Sequence, residues 1–248
     1  MHTYKLTLAY DGTNFSGWQA QPKRRTVQGV LRVAWREITG EDPRMTATSR
    51  TDAGVHALGQ VVGIRTTSEL PPERLLGGVN AKLPEDVVLR SVEVAADEFH
   101  ATHDAIGKRY RYSIHNSRLR PLLDRHLVWH IPQLLDVDAM HMAGQLLVGT
   151  QDFASFQSVG SPRDCTVRTV TDVEVGQGGA EDPDRITIDV SGDGFLYNMV
   201  RNIVGTLVDV GAGRRPPEWV SEVVAAVDRQ AAGQTAPPQG LMLMEVEF

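Results

Sequence analysis

Apolar and polar residues alternate through Tyr4-Lys5-Leu6-Thr7-Leu8-Ala9-Tyr10, the period of a strand with one face buried. Beyond it the period changes. Val27, Val30, Leu31, Ala34 and Ile38 fall on one helical face, which predicts a helix over Val27 to Ile38. Arg44 to Thr48 reads as a short extended piece and Gln60 to Thr66 as a strand. Pro72 to Leu83 reads as a helix opened by proline, where the missing N–H costs nothing, and Val87 to Val94 as another strand. The order is βαββαβ.

The second half follows the same rhythm. Arg109 to His115 reads as a strand, Val137 to Leu147 as a helix, Val167 to Val175 and Ile186 to Val190 as strands, and Tyr197 to Val210 as a helix. Leu241 to Phe248 reads as the final strand. No identity between the halves accompanies the shared order, so it is a repeat of elements and not of residues. Pro217 to Val227 adds a helix, and Gln177 to Asp184 is a loose loop. Each half has the split βαβ order of a ferredoxin-like unit, which makes the class α+β. The boundary falls near His100 to Gly107, separating a half over 1–105 from a half over 106–248.

With 248 residues, 41% of them hydrophobic and 23% charged, the chain suffices for one large or two moderate cores. No run approaches the length of a membrane span, and the start, Met1-His2-Thr3-Tyr4, lacks the pattern of a signal peptide. The single cysteine, Cys165, forms no internal disulfide and builds no thiolate metal site, which fits a reducing cytoplasm. The net charge of −6 is not that of a globally basic polyanion binder. Its distribution changes the picture. Lys23-Arg24-Arg25 forms one basic loop, and Lys108, Arg109, Arg111, Arg118, Arg120 and Arg125 a second stretch, while acids gather in Glu69 to Glu98 and Asp172 to Asp193. A basic groove on an acidic body binds a polyanion locally and repels it elsewhere.

The chemistry centres on Arg50-Thr51-Asp52-Ala53-Gly54-Val55-His56-Ala57-Leu58-Gly59-Gln60-Val61. Asp52 lies on a tight turn just before an apolar strand, and glycines at 54 and 59 allow positive φ or close approach of a ligand. This run resembles the nucleophile motif of the TruA family of tRNA pseudouridine synthases. Further matches follow in family order: Tyr10-Asp11-Gly12-Thr13-Asn14-Phe15-Ser16-Gly17-Trp18-Gln19, Thr26 to Leu31, Lys108-Arg109-Tyr110-Arg111-Tyr112, Asp152 to Phe156, Met199 to Gly205 and Ala236 to Leu241. The resemblance covers essentially the whole chain.

What the resemblance implies is specific. The two halves are expected side by side in one extended mixed sheet, with helices on one side and a central cleft that holds Asp52. The activity implied is isomerisation of uridine to pseudouridine at positions 38, 39 and 40 of the tRNA anticodon stem-loop, by a cytoplasmic homodimer. Asp52 is implied as nucleophile, Arg201 as its ion-pair partner, and Tyr110 as the platform for the uracil, its hydroxyl helping to move the proton at C5.

The residues support these roles independently. Moving C1′ of ribose from N1 to C5 of uracil involves no net oxidation or hydrolysis, so no cofactor and no metal is required. An ionised carboxylate suits the task, whether it attacks C6 of the base or C1′ of the sugar. A carboxylate under a base loses its charge unless a cation holds it ionised. An arginine among Met199, Val200 and Ile203 is costly to bury unpaired, which favours Arg201 for that partner; Arg50 ranks second, or grips a phosphate. Alternation along Arg109-Tyr110-Arg111-Tyr112 puts the tyrosines on one face and the arginines on the other. Stacking a uracil on such a ring is worth about 1–3 kcal/mol. Lys23, Arg24, Arg25, Arg109 and Arg111 are the remaining candidates for RNA contact.

Trp18 and Phe15 read equally well as RNA contacts or as packing, and Phe195 or Leu196 as a pocket wall. His100, His103 and Asp104, or Asp52 with His56, are ligand types for a phosphohydrolase metal, but no further His and Asp closes such a site. A paired RNA-binding module is the other rival. Its strand pattern of Gly-Phe-Gly-Phe is absent, and mere binding does not require a buried Asp and Arg pair.

Overall fold

The computed structural model describes residues 1–160 and 165–248. The chain forms two compact units, Met1–Ile106 with Met242–Phe248, and Gly107–Leu241.

In the first unit, β1 (His2–Tyr10), α1 (Val27–Thr39), β2 (Met45–Ala47), β3 (His56–Thr66), α2 (Pro72–Asn80) and β4 (Val87–Ala95) give the expected βαββαβ order. Strand order is β4-β1-β3-β2, antiparallel throughout, as a ferredoxin-like unit requires. Leu6 and Leu8 of β1 are fully buried, as are Leu31 and Trp35 of α1 and Leu75 and Val79 of α2. The Thr26 side chain accepts the Gly29 N–H at 3.3 Å at the start of α1, and Gly40 ends it with φ of 76°.

Two boundaries differ from expectation for identifiable reasons. Strand β3 begins at His56 and not Gln60, because the register with β1 slips between Leu8 (opposite Gln60) and Tyr10 (opposite Ala57), which breaks the alternation. Helix α2 stops at Asn80, whose side-chain amide binds β4 instead, donating to the Leu89 carbonyl and accepting its N–H, both at 2.8 Å.

The second unit contains β5 (Gly107–Asn116), β6 (Trp129–Ile131), α3 (Val137–Gln145), β7 (Gly149–Asp152), β8 (Val167–Gln177), β9 (Arg185–Gly192), α4 (Met199–Gly211) and α5 (Trp219–Ala226). Its strands run β5-β9-β8-β7, antiparallel, with β6 parallel to β5. The three- and four-residue strands β6 and β7 are too short for a periodic signal. Helix α4 begins at Met199, since Asn198 at φ 59° interrupts any earlier turn. Nearly all of α4 is buried, as expected of a helix apolar on most of its circumference.

The closing strand β10 (Leu241–Glu247) corrects the division of the chain. It was expected in the half over 106–248, yet Met242–Phe248 belongs to the first unit. There Met242 and Leu243 pair in parallel with His56 and Ala57 of β3, the Ile106 N–H bonds the Glu247 carbonyl at 2.9 Å, and Phe248 packs on Phe99. Strand β3 is buried almost throughout, and β2 covers only Val62 to Ile64 of its edge, so its first residues need a further partner. Period-two alternation in Leu241 to Glu247 identifies a strand but not its neighbour. No helix among the described residues is long and apolar enough to cross a membrane.

Candidate active site

In the first unit the Asp52 loop is fastened on both sides of the acid. Gln60, fully buried on β3, donates to the Ser49 carbonyl at 2.7 Å, accepts the Ser49 N–H at 3.3 Å, and reaches the Tyr10 hydroxyl at 3.4 Å. Tyr10 in turn shares a 2.7 Å hydrogen bond with the Thr51 hydroxyl. The Thr51 carbonyl accepts from the Trp18 N–H at 3.0 Å, and the Val55 N–H closes a turn on the Asp52 carbonyl at 3.1 Å. Gly54, third residue of that turn, has φ of 80°, the type II geometry that glycine supplies without strain. Ser49, Thr51 and Val55 are buried, Arg50 is exposed and Asp52 half-buried. A rigid backbone therefore presents two charged side chains.

The segment beneath this loop sits too close for side chains. A Cβ at Gly12 would lie 2.0 Å from the Val55 carbonyl oxygen, and one at Gly17, where φ is 88°, 2.8 Å from that of Thr51. The Gly12 N–H donates to Nδ1 of the buried His56 at 3.0 Å. Phe15 and Trp18 are 3% and 1% exposed, which decides between packing and RNA contact in favour of packing.

In the second unit, β5 separates its residues as alternation requires. Tyr110, Tyr112 and Ile114 are buried on one face, and Tyr110 meets Phe195 edge-to-face with ring centroids 5.4 Å apart. Arg109 and Arg111 project the other way, onto Asp189 of β9, at 3.2 and 2.9 Å. Tyr112 donates its hydroxyl to the Pro237 carbonyl at 2.8 Å. Burial raises the Tyr112 pKa far above the usual tyrosine value, and the Arg201 charge offsets only part of that. Because the folded protein holds this proton above pH ~10 while the unfolded chain releases it, stability falls as pH rises past that value. Tyr112→Phe is expected to cost about 1–2 kcal/mol at neutral pH by leaving the Pro237 carbonyl unbonded. That deficit should narrow above pH ~10, where wild type alone pays for keeping the phenol protonated. Urea denaturation of both proteins at pH 8 and pH 10.5 measures it.

Arg201 occupies the first turn of α4. Its Nε donates to the Ala236 carbonyl at 2.7 Å and its Nη1 to the Asn198 side-chain oxygen at 2.8 Å, while the Ala236 N–H bonds the Arg201 carbonyl. The guanidinium is thus aimed by two acceptors and left half-buried. The adjacent Asn202 is fully buried with its amide satisfied on both sides. It donates to the Phe156 carbonyl and accepts from Arg229 and Thr235, at 2.7, 3.0 and 2.6 Å.

The first unit thus presents an aspartate on a tight turn, and the second a buried tyrosine on a strand and an aimed arginine on a helix. Residues 7–104 and 143–248 match the family model described as tRNA pseudouridine synthase. The chain belongs to the tRNA pseudouridine synthase family. It is similar to proteins named tRNA pseudouridine synthase A from Acetivibrio thermocellus, 43% identical, and Geobacter sulfurreducens, 44% identical, with all of both chains covered in each comparison. It is also 42% identical to tRNA pseudouridine synthase A 2 of Clostridium perfringens, again over all of both chains. Family members are isomerases of tRNA uridines, and that class is the chain's own.

Within this pseudouridine synthase the predicted RNA-contact residues divide by environment. Lys23, at φ 60°, and Arg24 are exposed. Arg25 lies 4.0 Å over the Phe15 ring and forms a bidentate pair with Asp86 at 2.7 and 2.8 Å. Arg109 and Arg111 share Asp189, as described. Gly12, Gly17, Gln60 and Asn202 were missed as supports of the site. Their partners lie 30 to 50 residues away in several cases, and only the small size of Gly12 and Gly17 within a quoted motif hinted at close approach.

Proposed function

We propose that this chain converts uridine to pseudouridine at positions 38, 39 and 40 of the tRNA anticodon stem-loop, working as a cytoplasmic homodimer without metal or cofactor. Asp52 is the nucleophile, attacking C6 of the uracil or C1′ of the ribose. The N1–C1′ bond breaks, the base turns, C5 bonds to C1′, and the proton leaves C5 as N1 gains one. Atoms and electrons balance with no co-reactant. Tyr110 stacks on the base and its hydroxyl assists the proton transfer at C5. Arg201 acts as the charge partner that keeps Asp52 ionised. Arg50, Lys23 and Arg24 contact phosphates, and Arg25, Arg109 and Arg111 join them by exchanging a carboxylate for a phosphate.

One observation carries the reading: Asp52 stands half-buried on a turn whose neighbours Thr51 and Val55 are buried and hydrogen-bonded, so that the backbone beneath the carboxylate is fixed in place. The test is incubation of the purified protein with anticodon-arm RNA in EDTA, followed by mapping of pseudouridine. Product confined to positions 38–40 is expected. No product, or product that appears only on adding metal, overturns the proposal.

A further inference from the structure

The basic stretch of β5 contains three cations, and only one shares a face with Tyr110. Arg109 and Arg111 point to Asp189 on the opposite face. Lys108, two residues before Tyr110, lies on the tyrosine's own face, about 7 Å along the strand. Lys108 stands opposite Gly192 in the pairing of β5 with β9. Just beyond Gly192, Phe195 folds back so that its ring would lie 3.5 Å from a Cβ at 192, and the same ring meets Tyr110. On the far side of this turn, Arg168 runs 3.8 Å from the Cβ position of Gly194. One Nη of Arg168 is tied to the carbonyls of Cys165 and Val167, which fixes its direction.

Two cations thus flank the Gly192–Phe195 turn, which also packs on the proposed uracil platform. The acid between them, Asp193, has one oxygen taken by the Thr169 N–H at 3.1 Å. Lys108 is half-buried, and burial together with the Arg168 charge lowers its pKa, with Asp193 opposing. Cationic side chains that converge on one turn attract a further anion there, beside whatever each already bonds. The anion an RNA brings beside every base is a phosphodiester, whose charge and acceptor oxygens answer both side chains.

The geometry points to Lys108 and Arg168 as the seat for a phosphodiester of the RNA strand next to the uridine that rests on Tyr110. This rests on the proposed uridine isomerisation for the identity of the base, but the seat is measured by binding alone. The experiment titrates anticodon-arm RNA against the full-length wild type, Lys108→Gln, Lys108→Arg and Arg168→Gln at several salt concentrations. Lys108→Gln and Arg168→Gln are each expected to weaken binding by on the order of ten-fold and to lower the salt slope by about one. Lys108→Arg keeps the slope of wild type and serves as the folded control, with an unchanged melting temperature. In turnover, Lys108→Gln raises KM and leaves kcat within about two-fold, the pattern of lost substrate binding.

A neutral methylphosphonate is then placed at each linkage flanking the target uridine. At one linkage it should weaken wild-type binding about as much as Lys108→Gln does, and weaken Lys108→Gln no further. The inference is overturned if the salt slope of Lys108→Gln equals that of wild type, if kcat falls while KM holds, or if the two neutralisations add at every linkage. A protein that binds in this pattern but makes no pseudouridine would refute the proposed reaction and leave the phosphodiester seat standing.

Discussion

Asp52→Asn is expected to lose pseudouridine formation by at least about three orders of magnitude while binding anticodon-arm RNA within about threefold of wild type. The asparagine keeps the size and one acceptor oxygen of aspartate but has neither negative charge nor nucleophilicity at neutral pH. The hydrogen bonds described for Ser49, Thr51 and the backbone of Asp52 involve groups that the substitution does not change. Stability should therefore stay within about 1 kcal/mol of wild type. Single-turnover product formation, filter binding and a thermal melt on one preparation measure all three. A variant that melts and binds normally but keeps more than about a tenth of the wild-type rate would remove Asp52 from the reaction.

The largest effect on stability is expected from the loss of a hydrogen in the interior of α4. Gly205→Ala would place a Cβ 1.7 Å from the Gln234 carbonyl oxygen and 2.8 Å from its carbon, both backbone atoms with no rotamer to give way. Relief requires α4 and residues 234–236 to part, and with them the Ala236 carbonyl that receives Nε of Arg201. Exchanging glycine for alanine inside an exposed helix ordinarily gains about 1 kcal/mol. Here overpacking reverses the sign, at a cost of about 3 kcal/mol or more, with activity falling as the Arg201 anchor shifts. Gly77 of α2 is the control. Its Cβ position has nothing within 4 Å, so Gly77→Ala should be neutral or stabilising by up to about 1 kcal/mol. Chemical denaturation of the two variants beside wild type separates the outcomes, and equal behaviour of the two would contradict the packing described.

The same two sites show what a sequence discloses. The Asp52 turn was readable because Asp-Ala-Gly names a local geometry, and Gly54 indeed has the positive φ such a turn needs. Alternation likewise sorted Tyr110 and Tyr112 from Arg109 and Arg111, since faces of a strand depend only on neighbours in the chain. Partners were another matter. Asp189, which takes both arginines, lies 78 and 80 residues from them, and Gln234, which requires glycine at 205, lies 29 residues on. Strand β10 carried a clear period and no mark of which unit would claim it. Period identifies an element, whereas the edge of β3 left open beside His56 decided where β10 went. Alternation puts Lys108 on the tyrosine face as well, whereas the Arg168 and Asp193 charges beside it come from distant parts of the chain.

Release of tritium tests the reaction most directly. Anticodon-arm RNA carrying tritium at C5 of its uridines is incubated with wild type in EDTA, and both the solvent and the RNA are analysed. Joining C5 to C1′ must expel the C5 hydrogen, so one tritium per modified uridine should enter the water, with the strand uncut and no free uracil. Retention of all tritium in intact RNA, or its appearance together with cleaved strands or released base, would contradict isomerisation at this site.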